Sequence, residues 1–360
     1  MTKGYQNLVL LLSSLLLCFL LIEAFYRLID PFPYIKTEDD VAPRQHGHLA
    51  VYDSLIGWRG TPKGESDFRT RNNLVHLIHN SQGFRDVEHS DSGDVRPKIV
   101  LLGDSFAWGF EVEFDQMMVN LFRDRRPEYE VFNLAYRGYG TDQALLTFRE
   151  WHVPGKLAWV FLIFSENDVA DNNSSFRYGK PKPRFQVVHD SLVLTGVPVP
   201  YDASWSDTTQ VAPTERGWKA AFRRVLFTSH FVHDAYYRIR SLLGRQAVPP
   251  EAVEDAKLAS DLSVTSLLLG ELKREVESRD GKLVVVFIPS KAEIERLSDA
   301  PPYQRAITDL CTRQGIDSFD LAPSFESTWR RLYFRLGMHL NARGHRLAAE
   351  ALDEYLRGRE

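Results

Sequence analysis

The stretch Pro97-Lys98-Ile99-Val100-Leu101-Leu102-Gly103-Asp104-Ser105-Phe106-Ala107-Trp108-Gly109 decides how the rest of the chain is read. Four apolar residues run into Gly-Asp-Ser and then into a helical pattern. A short apolar run bounded by glycine reads as a buried, central, parallel strand. Asp104 and Ser105 then fall at its carboxyl end, the edge at which open α/β sheets place ligands. A serine on a strand-to-helix turn can be lifted out as a nucleophile, with the first N–H groups of the helix aimed at it. Asp and Ser are also ordinary N-caps, so this stretch alone leaves both readings open.

Working outward, the α/β alternation continues. Tyr129 to Leu134, Leu157 to Phe164, Lys282 to Ile288 and Ile316 to Leu321 read as further strands. Helical spacing covers Asp115 to Arg126, Gln143 to Trp151, Ala252 to Glu277, Tyr303 to Arg313 and Ala342 to Leu356. Strands alternating with helices predict a parallel sheet covered on both faces. An insertion, 172–250, separates the third strand from the fourth. Phe185 to Leu194 alternates around His189-Asp190 as a hairpin, and Gly217 to Leu243 reads as an aromatic-rich helical piece. The insertion is placed to roof the carboxyl edge of the sheet.

The chain has 360 residues, 44% of them apolar and 26% charged, ordinary values for a globular protein with one sizeable domain. A net charge of −4 gives no ground for nucleic-acid binding. Of the two cysteines, Cys18 lies in an apolar segment and Cys311 far from it in the chain, so no disulfide is expected. Leu8 to Ile22 is apolar except for Ser13 and Ser14, and continuation to Ile29 supplies the length a bilayer requires. Residues 8–29 are therefore expected to contact a lipid bilayer, within an anchor spanning 1–30. Lys3 before the segment and Glu38, Asp39 and Asp40 after it put the N-terminus in the cytoplasm and the rest outside. A cleaved signal peptide is the rival, but no good small-x-small site follows the apolar run. Residues 31–96 form an extension interrupted by Pro31, Pro33, Pro43 and Pro62. It is expected to be irregular and packed on a main domain, 97–360, through Phe84. Its scattered histidines read as surface or packing residues, without metal-ligand spacing.

Polar residues collect at the strand ends. After Ser105 come Gly138, then Ser165-Glu166-Asn167-Asp168, and His339 ahead of the last helix. Adjacent strand ends can bring Ser105, Gly138 and Asn167 together. The set fits acyl transfer: Ser105 attacks an ester carbonyl and His339 takes its proton. The N–H groups of Ser105 and Gly138 and the Asn167 amide then hold the oxyanion. Asp104 and Asp168 are expected to brace the turns, and Asn341 and His345 to serve the last helix. Trp108, Tyr136 and Tyr139 are read either as core or as sugar-stacking rings.

In these blocks the chain resembles a bacterial SGNH (GDSL-type) hydrolase in its membrane-anchored form. Gly103-Asp104-Ser105 with Gly109 matches the first block, Gly138 the second, and Ser165-Glu166-Asn167-Asp168 the third with its usual glycine replaced. The family's aspartate two or three residues before the histidine is absent, because Gly337 and Leu336 stand there. Three readings stay open: a backbone carbonyl orients His339, an acid such as Glu166 or Asp320 substitutes, or the site binds without catalysis. The resemblance implies a flavodoxin-like three-layer α/β/α sandwich with a five-stranded parallel sheet. It implies a serine esterase acting on acyl esters, acetyl above all, of cell-envelope or exported carbohydrate, with no metal or organic cofactor. It places the catalytic domain on the periplasmic side of the inner membrane. An O-acyltransferase with the same site and a catalytically impaired carbohydrate-binding or scaffold protein are the alternatives.

Overall fold

The computed structural model describes residues 3–29, 49–70, 72, 74–89, 95–152, 155–165, 167–201, 229–232, 235, 239, 251–295, 302–328, 330–335 and 337–359. The chain divides into two compact units. One comprises Met1–Ala42, Arg69–Asn73 and Val211–Ala247, the other Pro43–Phe68, Leu74–Gln210 and Val248–Glu360.

The first unit is built on the helix Lys3–Ile29. Its Gly4–Leu28 portion is apolar and none of it is buried inside the protein. At 1.5 Å per residue that portion reaches about 38 Å, enough to cross a hydrocarbon core. One acidic side chain interrupts it. Glu23 accepts from Arg27 Nε at 2.7 Å, from Ser229 Oγ at 2.7 Å and from the amides of His230 and Phe231 at 3.0 and 3.1 Å. It thereby satisfies the free N–H groups at a helix start. Most of the expected helical piece 217–243 lies outside the described residues.

The second unit holds a five-stranded parallel sheet: Lys98–Gly103, Glu130–Asn133, Leu157–Phe164, Lys282–Phe287 and Asp317–Asp320. Numbered along the chain, these strands lie in the order second, first, third, fourth, fifth. The first and third strands are buried almost throughout, which is why both read as unbroken apolar runs. Helices Thr141–Glu150 and Glu251–Glu277 pack together, and the latter also meets Pro302–Gln314. Met118–Arg125 packs with Ala342–Arg357 to form the other layer. The expected doubly wound architecture is therefore present, with the first strand where the strand order reverses.

Three local features depart from the reading above or sharpen it. The helix expected from Asp115 begins as a single 3₁₀ turn, Phe114–Gln116, and Met117 at ψ 139° separates it from Met118–Arg125. His345 Nδ1 accepts from the Met118 amide at 3.1 Å and so caps this second start from across the core. The region ahead of Lys98 is more ordered than expected in that Ala50–Asp53 pairs with Gly57–Gly60, while the strand Leu74–Ile78, with Val75 and Leu77 buried, matches the loose alternation of Val75 to Asn80 in the sequence. The hairpin around His189-Asp190 is Arg184–Val188 paired with Ser191–Thr195, and both turn residues have positive φ. That is the primed two-residue turn which matches strand twist.

Candidate active site

Ser105 opens the short helix Ser105–Trp108 directly after the first strand. Asp104 caps it, its Oδ1 accepting from the Phe106 amide at 3.0 Å. Gly109 ends it at φ 81°, and a Cβ there would meet Met117 Cγ at 2.5 Å, so the tight reversal requires glycine. Arg85 is fully buried and its guanidinium spans this reversal, donating to the carbonyls of Trp108, Gly109 and Val112. Burial pushes its pKa down to about 9, which leaves it charged at neutral pH. Asn133 ties the next strand to the same turn through Nδ2 bonds to the carbonyls of Arg85 and Ala107, both 3.2 Å.

His339 arrives on the loop before the last helix. Asn341 starts that helix by accepting from the amides of Arg343 and Gly344. Lys291 gathers the loop from outside, its Nζ donating to the carbonyls of Phe334, Arg335 and Gly337. The result is a Ser105 Oγ to His339 Nε2 distance of 2.9 Å. Phe110 and Phe106 flank the imidazole with ring centroids at 4.4 and 5.3 Å. Burial in this apolar setting pushes the His339 pKa down to about 4, so the ring is neutral at pH 7 and able to accept a proton.

The remaining expected residues divide. The Ser105 and Gly138 amides donate to no protein acceptor among the described residues. Gly138 has φ 77°, and a Cβ on it would strike Tyr178 Cε2 at 2.4 Å. Tyr178 lies between the two strands of the small ribbon Phe176–Arg177 and Lys180–Pro181. Asn167 is placed differently from the expectation. Its amide nitrogen donates to Asp104 Oδ2 at 3.2 Å and to Asp171 Oδ2 at 2.8 Å, so both of its hydrogens are committed to carboxyls rather than to an oxyanion. Ser165 Oγ lies 3.0 Å from Asp104 Oδ2 and 3.3 Å from Asp168 Oδ2, and one hydroxyl proton cannot serve both. Burial raises the pKa of both carboxyls, Asp168 the more strongly because Asp104 adds its own charge.

Of the acids expected to orient His339, none is seen against it among the described residues. Asp320 is engaged by Gln304 and by the Ala322 amide, and Glu166 lies outside the described residues. His339 Nδ1 makes no hydrogen bond among the described residues, and Glu111 Oε2 lies 3.9 Å from it. Glu111 is buried, with φ 68°, on the reversal that Arg85 holds. Trp108 and Tyr139 belong to the core, whereas Tyr136 is buried and also lines the cavity that opens at Ser105 and His339. That cavity measures about 280 Å³ and is walled by Trp58, Phe68, Phe110 and Tyr178 as well.

Solved structures of the G-D-S-L lipolytic family are similar to this chain. A member from Veillonella parvula has a TM-score of 0.38 and 12% identity, over 72% of this chain and 98% of its own. The lipase/acylhydrolase from Enterococcus faecalis has a TM-score of 0.38 and 13% identity, over 73% and 96%. An acetyl xylan esterase has a TM-score of 0.37 and 12% identity, over 72% and 99%. No protein-family model and no curated protein matches the sequence.

Proposed function

We propose that the chain is a serine ester hydrolase of the SGNH type, with Ser105 as nucleophile and His339 as general base. The observation that carries this reading is the 2.9 Å contact between Ser105 Oγ and a half-buried, neutral His339, both lining one open cavity. Ser105 donates its proton to Nε2 as Oγ attacks the ester carbonyl, and the imidazolium returns it to the leaving alcohol. The two uncommitted amides, Ser105 and Gly138, are the donors for the tetrahedral oxyanion. Asn167 acts one step back, holding Asp104 and through it the helix start. Glu111 faces the charge that develops on the imidazole. The substrate we assign is an acyl ester, acetyl above all, of carbohydrate. The helix Lys3–Ile29 serves as an inner-membrane anchor with the catalytic unit on the periplasmic side, in keeping with Lys3 at its start and Glu38, Asp39 and Asp40 after it.

A fluorophosphonate probe tests the reading. It should label the parent chain and a Ser165→Ala variant but not Ser105→Ala, and label retained by Ser105→Ala would remove the assignment. Alanine at 138 keeps the N–H but, at φ 77° and with its Cβ against Tyr178, swings it off the oxyanion, so Gly138→Ala should cut kcat by up to about 10²–10³, the worth of one such donor. It should act on kcat rather than KM, and a loss confined to KM would show that Gly138 only shapes the cavity. The pH dependence carries a definite sign. The base works neutral, so kcat/KM should stay flat on acidification from pH 7 and fall as pH drops through about 4. An acid limb at the ordinary histidine value would mean that burial does not set the protonation of His339.

A further inference from the structure

We infer that the ester this site takes carries an oxyanion, a carboxylate or a phosphate, which docks on Arg137. The inference rests on the esterase reading and names the class of its substrate. Among the described residues, three cationic side chains line the cavity at Ser105, namely Arg137, Arg177 and Lys180, and no Asp or Glu lines it. Arg177 is answered by Asp171 at 2.9 Å. Arg137 has no carboxylate partner among the described residues. Its guanidinium carbon lies 5.3 Å from the centroid of Phe68 and 5.7 Å from that of Trp108, and the residue is half-buried. Two aromatic faces thus strip water from the cation and fix its position without supplying a counter-charge. A partly desolvated cation lacking a partner is costly unless an anion completes it. The planar fork of arginine suits carboxylate and phosphate oxygens taken in pairs.

Position in the chain makes the docking site specific. Arg137 immediately precedes Gly138, whose amide we assign to the oxyanion, and its carbonyl is held by Trp58 Nε1 at 3.3 Å. A negative group bound there shares one cavity of about 280 Å³ with the reacting ester. For a carbohydrate ester this describes an acylated uronic acid or an acylated sugar phosphate, and a neutral acylated sugar would leave Arg137 unanswered.

The test uses the full chain in detergent with three matched substrates: a mono-O-acetyl methyl glucuronoside, the corresponding methyl glucoside and its 6-phosphate. At low salt kcat/KM for at least one anionic ester should exceed that for the neutral one by about 10- to 100-fold, the range of one charge-assisted hydrogen bond. Whichever anionic ester is favoured identifies the oxyanion. The preference should shrink with added salt, fall towards unity in Arg137→Met and survive in part in Arg137→Lys. A parent ratio of unity, or equal losses on charged and neutral esters in Arg137→Met, would overturn the inference while leaving the esterase standing. Calorimetry on Ser105→Ala separates the two readings from the other side. Arg137-dependent binding of the uronide without turnover of any ester by the parent would keep the anion site and remove the esterase.

Discussion

A Ser105→Ala chain should lose about 10⁶ in ester turnover, and His339→Ala should lose about as much. The two side chains act in one step, through a single 2.9 Å contact, so removing both should cost little more than removing either. In free energy this is about 8 kcal/mol of barrier. A residue of catalysis, roughly 10³–10⁴ over water, should persist from the Ser105 and Gly138 amides. The variants are informative because the fold does not lean on these groups. Among the described residues the only side-chain partner of Ser105 Oγ is His339, and the caps around it belong to Asp104 and Asn341. A steady-state assay on an acetyl ester, with melting temperatures measured alongside, checks this. Turnover in Ser105→Ala within ten-fold of the parent, at unchanged stability, would end the nucleophile assignment.

What could be read from the sequence was local or strongly periodic. Leu157–Phe164 and Lys282–Phe287 declare themselves because a parallel strand covered on both faces has no polar phase to confuse it. Asp104, Asn341 and the His189-Asp190 turn follow from chemistry confined to a few residues. What escaped depends on partners far away in the chain. The break at Met117 is set by His345, which accepts the Met118 amide from the last helix. Asn167 turns from the oxyanion to Asp104 and Asp171 because buried carboxyls surround it, and no spacing rule shows that. Arg85 looks like a surface residue in an irregular extension, yet it is buried whole beneath the nucleophile turn. The absent aspartate before His339 left open a backbone carbonyl, an acid from another segment or a site without catalysis, and named Glu166 and Asp320 but not Glu111 as the acid.

If Glu111 is that acid, Glu111→Gln should reduce kcat/KM by as much as ~10⁴, the cost of losing the orienting acid in a Ser-His-Asp arrangement. At 3.9 Å the carboxylate is beyond hydrogen-bond length from Nδ1, and such contacts often tighten only around bound substrate. Its placement is nevertheless costly to maintain. A non-glycine residue at φ 68° carries about 1 kcal/mol of strain, which Arg85 counters by fixing the carbonyls on both sides of it. Glu111 would act as a positioning residue, holding the Nδ1–H tautomer so that Nε2 faces Ser105, and opposing the charge when the proton arrives. Two readouts separate this from mere support of the loop. Because the carboxylate favours the imidazolium, its removal should move the acid limb of the pH profile to still lower pH. Glu111→Asp, which keeps the charge, should recover part of the rate. If Glu111→Gln stays within three-fold of the parent, or the aspartate variant fares no better than glutamine, then His339 works with Ser105 as a dyad and the acidic third member is absent from this chain.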